Sequence, residues 1–119
     1  MAERNSYRDF IKDNIEYDIL VQRNGRECMD EAVELMLDAI CSKRQYVTIA
    51  SDEFPKEVVK SRFLKLNSGH IEYVFDCIDK NTTKVRNIKK YLLAALYNAP
   101  TTIDSYYRAE VQHDLYGGG

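Results

Sequence analysis

The chain has 119 residues, 45% of them apolar, which suits a single domain with one modest core. Its formal charge of −2 is unevenly spread: residues 1–55 carry 7 Lys/Arg against 12 Asp/Glu, while residues 56–90 carry 9 against 4. Cys28, Cys41 and Cys77 are an odd, widely spaced set without C-x-x-C, which argues against a disulfide framework or a zinc site.

The first helix is predicted to start at Ser6, where Ser6-Tyr7-Arg8-Asp9 reads as a capping box with Asp replacing Glu. Phe10, Ile11 and Ile15 supply its buried stripe, and Asn24-Gly25 marks a turn. A second helix is predicted over roughly Glu27 to Lys43, with Val33, Met36, Leu37 and Ile40 at i, i+3, i+4 and i+7. Tyr46-Val47-Thr48-Ile49-Ala50 is β-branched and aromatic, and is the one strand-like run. It has no clear partner: it reads as an extended connector, or as an edge pairing with Ile19–Val21 or with another molecule.

Phe54-Pro55 is expected to open a third helix with proline at its first position, turning Val59, Phe63 and Leu66 inward. Asn67-Ser68-Gly69 ends that helix and caps a fourth, from about His70 to Lys80, with Ile71, Val74, Phe75 and Ile78 on one face. Asn81-Thr82-Thr83 then caps a fifth helix reaching Asn98. Its segment Tyr91 to Tyr97 is apolar most of the way round and marks a central, buried helix. A sixth helix follows Pro100, carrying Ile103, Tyr106, Tyr107 and Val111. The expected fold is mainly α: a compact bundle of about six helices with at most one short strand-like segment at 46–50. Residues 1–116 are expected to form a single helical domain, and residues 117–119 a flexible glycine tail.

The motifs of enzymatic chemistry are absent: no G-x-x-x-x-G-K-[ST], G-x-G-x-x-G, H-E-x-x-H or G-x-S-x-G occurs. His70 and His113 are the only histidines, and neither has ligand spacing to Cys77 or Asp114. The expectation is a non-enzymatic chain without metal or cofactor. With no signal peptide and no apolar run of about 18 residues, it is expected to be cytoplasmic and free of membranes.

Lys84, Arg86, Lys89 and Lys90 carry the strongest sign of function. Cations in the first turns of a helix oppose its macrodipole, so helix stability alone does not select them. Asn81, Thr82, Thr83 and Asn87 add hydrogen-bonding groups beside them. Lys56, Lys60, Arg62 and Lys65 suggest a second basic row on the third helix. Such a face suits an acidic protein surface or nucleic acid; it also suits an ordinary solvated helix side. Tyr106-Tyr107-Arg108 adds a candidate contact, because a peripheral tyrosine beside an arginine stacks on bases or anchors a protein interface.

Three runs carry a family resemblance: residues 54–66 from Phe54-Pro55-Lys56, residues 70–74 from His70-Ile71-Glu72, and residues 81–100 from Asn81-Thr82-Thr83-Lys84 to Asn98-Ala99-Pro100. They resemble the uncharacterised, DUF6017-like C-terminal domain of the replication initiator protein A family of plasmids and conjugative elements of Gram-positive bacteria. The likeness extends from near Tyr7 to near Val111. It implies an accessory domain that contacts a host replication protein such as primase, helicase or loader, and some members have a C-terminal fold similar to DnaD-type primosome domains. The winged-helix region that binds origin DNA in full-length initiators has no counterpart here. Direct, nonspecific binding of single-stranded DNA and self-association are the alternatives, with a monomer or weak homodimer as the expected state.

Overall fold

The computed structural model describes the backbone of residues 2–80 and 88–116, and the side chains of residues 3–79 and 89–103. Along the chain run α1 (Ala2–Asn14), α2 (Tyr17–Asn24), α3 (Arg26–Ile40), β1 (Tyr46–Ile49), β2 (Asp52–Pro55), α4 (Lys56–Phe63), α5 (Ser68–Lys80) and α6 (Ile88–Tyr116). Among the described residues the architecture is a mainly α bundle of six helices with one small antiparallel hairpin.

The centre is α3. Met29, Ala32, Val33, Met36, Leu37, Ala39 and Ile40 are all buried, wider than a single stripe, because α3 packs on α1, α2, α4 and α6. The predicted apolar positions at 33, 36, 37 and 40 all lie in this core. Leu92 and Leu96 bring α6 into the same cluster, alongside Phe63, Ile71 and Val74. Outside the core, Arg4 and Arg8 bind α1 to α3: Arg4 reaches Glu34 at 2.7 Å and Asp38 at 2.8 Å, and Arg8 reaches Glu34 at 2.7 Å. The two guanidinium groups hold the Glu34 carboxyl below its ordinary range.

Several boundaries differ from the sequence reading. Helix α1 begins at Ala2, so Ser6 lies inside it and is not a cap. Phe10 is 51% exposed. The buried direction of α1 is that of Ile11 and Ile15, and Phe10 is turned about 100° from Ile11. Left-handed Glu16, at φ 55° and ψ 55°, breaks the chain between α1 and α2. Ile19–Val21 is part of α2 and pairs with no strand.

The 46–50 run does have a strand partner. Tyr46 pairs with Pro55 and Ile49 with Asp52, leaving Ala50-Ser51 as a two-residue turn. Both turn residues have positive φ, 52° and 71°, as a mirror-image hairpin turn requires. Neither is the glycine or asparagine that usually announces such a turn. Pro55 ends β2 and precedes α4, at φ −57° and ψ 135°; it is not the first helical residue. The expected fifth and sixth helices are one, for α6 runs through Pro100. The expected start of that helix at residues 81–87 and the tail at 117–119 lie outside the described residues.

Candidate binding surface

Helix α4 turns Val59 and Phe63 into the core, which fixes where its cations point. At about 100° per residue, Lys60 and Arg62 point roughly 160° apart. Lys60 turns toward α1, its ammonium 4.9 Å from the centre of the Tyr7 ring. The Tyr7 side chain raises the Lys60 pKa above its ordinary value. Lys56, one turn earlier on that side, donates to the Ser42 carbonyl at 3.1 Å. Arg62 turns the other way. Its Nε donates to the Tyr97 carbonyl at 2.9 Å, its Nη2 to Thr101 Oγ1 at 3.2 Å, and its guanidinium lies 4.5 Å from the Tyr97 ring centre. Lys65 lies beyond α4 and is exposed.

The second basic row is therefore not one face. Lys56, Lys60 and Arg62 each hold another part of the molecule, on two flanks of α4. Spacing alone carried this warning, since residues two apart on a helix cannot share a direction. What the sequence could not show was the partner of each cation.

Of the first cluster, two residues are described. Lys89 and Lys90 lie in the first described turn of α6, and both are exposed. Lys84 and Arg86, with Asn81, Thr82, Thr83 and Asn87, fall outside the described residues. Tyr106 and Arg108 lie in the C-terminal part of α6, beyond the described side chains.

The candidate edge at 46–50 is half used. One side of β1 pairs with β2. Beside β1, Leu35, Ala39, Tyr46, Val47 and Leu93 contribute to a groove of about 550 Å³, and Tyr46 is exposed. His70, considered above as a ligand, caps α5: its Nδ1 accepts from the Asn67 N–H, and its own N–H donates to Asn67 Oδ1, both at 3.1 Å. Among the described residues no group of three His, Cys, Asp or Glu side chains is placed to hold a metal ion. Nor is any helix among them long and apolar enough to cross a membrane.

No curated protein and no solved structure matches the chain. One family model does, over residues 1–118, nearly the whole length. The chain belongs to the DUF6017 family, a family of unknown function.

Proposed function

We propose that this domain is a non-enzymatic accessory module of a mobile-element replication initiator, and that it recruits a host replisome protein through the start of α6. The observation that carries the surface is the exposed pair Lys89 and Lys90. Such a pair, beside Lys84 and Arg86 in sequence, favours an anionic partner. The initiator setting rests on the resemblance of residues 54–66, 70–74 and 81–100. Lys84 and Arg86 extend the cluster in sequence, Tyr106 and Arg108 follow on the same helix, and Lys65 adds an exposed cation near α4.

The same cations suit the phosphates of single-stranded DNA. Salt separates the two partners, because each phosphate contact releases counterions and gives a steep fall in affinity with salt. A protein interface with an apolar centre responds far less. Capture from host lysate, with and without nuclease, is the corresponding experiment. Nuclease-resistant recovery of one replication protein supports recruitment. Recovery lost on nuclease treatment, with steep salt dependence toward single-stranded DNA, moves the assignment to DNA.

A further inference from the structure

Pro100 stands inside α6, and the helix continues unbroken beyond it. A proline there offers no N–H to the Leu96 carbonyl and crowds the preceding turn, so the helix bends most easily at this point. Arg62 sits beside this proline. It binds Tyr97, before the proline, through the carbonyl and the ring face, and binds Thr101, after the proline, through Oγ1. Tyr97 is itself fixed, its ring 4.7 Å from Phe54 and 6.3 Å edge-on from Phe63. One side chain from α4 thus ties the anchored part of α6 to the part that follows. Ala99 is buried, whereas Thr101 and Thr102 are exposed. The tie therefore stands just past Ala99, the last of the buried residues described on α6. Thr102 adds a local bond across the proline, Oγ1 to the Asn98 carbonyl at 3.1 Å.

We propose that Arg62 is a latch across a proline hinge: it sets the direction of the α6 limb from residue 101 onward. Lys89 and Lys90 lie before the hinge, Tyr106 and Arg108 after it. In a straight helix residues 90 and 106 are about 24 Å apart. The latch governs how these two groups are presented relative to one another. That consequence rests on the binding role proposed above; the latch itself does not.

The test is amide hydrogen exchange on the full chain, in the wild type, Arg62→Gln, Pro100→Ala and the double variant. Arg62→Gln should speed exchange at residues 101–105 by roughly tenfold relative to α3, as loss of charge-assisted hydrogen bonds predicts. Pro100→Ala restores a donor to the Leu96 carbonyl and makes the latch redundant. In that background Arg62→Gln should leave 101–105 protected. If Arg62→Gln fails to fold, Thr101→Val removes only the limb's acceptor, and a rise of about threefold confined to 101–105 is expected from loss of one weaker bond. Equal acceleration in α3 and 101–105, an unchanged Arg62→Gln effect in the Pro100→Ala background, or no local effect of Thr101→Val would overturn the latch.

Discussion

His70 shows how one side chain can resemble a functional group while serving the fold. Its Nδ1 accepts a hydrogen bond from the Asn67 N–H, which requires that nitrogen to be unprotonated. Burial lowers its pKa below the ordinary value of 6.5. The unfolded chain therefore binds the proton more readily, so this contribution to stability is complete above pH 6.5 and is lost as pH falls from there through the lower folded value. His70→Ala should remove that part of the pH dependence in urea titrations run across the window. Asn67→Ala should cost about 1 kcal/mol, as loss of a helix cap does. The Asn-Ser-Gly stop was legible as a cap, but the reciprocal histidine was not, since Glu or Gln usually fills that place. Gly25 is a second single-residue constraint. It lies between α2 and α3 at φ 90° and ψ 151°, with open space where a Cβ would stand. That region is almost closed to other residues, so Gly25→Ala should destabilise by about 1–3 kcal/mol through backbone strain alone. Thermal melts of the variant check this directly.

At the scale of elements, burial decides which predictions are strong. Leu96 is fully buried in α6, and Leu96→Ala should cost about 2–5 kcal/mol in chemical denaturation. A loss below about 1 kcal/mol would be too small for a core position of this kind. Helices α3 and α5 and the inward face of α6 were readable because their apolar residues recur at helical spacing. The hairpin was only half readable. Its first strand is β-branched, but its turn is Ala50-Ser51 and its second strand, Asp52-Glu53-Phe54-Pro55, has the composition of a loop. Tertiary pairing overrides that local preference. The reading also separated the last two helices at Pro100. Local chemistry favours a break there, and the Arg62 side chain that ties the two sides together comes from residues far away in sequence. For the same reason the α4 cations looked like one row: the sequence gives their spacing, while Tyr7, Ser42 and Tyr97 reveal their separate tasks.

Over the whole molecule, several acids of the first 55 residues and the cations Lys89 and Lys90 lie on different elements. Asp9, Asp13, Glu16 and Asp18 border a groove of about 510 Å³ at the junction of α1 and α2. Lys89 and Lys90 lie on α6, and α3 packs on both of these parts. The central claim is that the start of α6 is a binding surface, and it predicts a separation of stability from recognition. Changing Lys84, Arg86, Lys89 and Lys90 to Gln should leave the domain folded, because Lys89 and Lys90 are exposed and surface substitutions usually change stability by about 0.5 kcal/mol or less. Recognition should fall by more than tenfold, as expected when several charged contacts worth about 0.5 kcal/mol or more each are removed together. The most direct measurement is quantitative capture from nuclease-treated host lysate by the wild type and this fourfold variant, each verified as folded. The account predicts that the wild type retains a replication protein and the variant loses it. Equal capture by both proteins, at equal stability, would contradict the assignment.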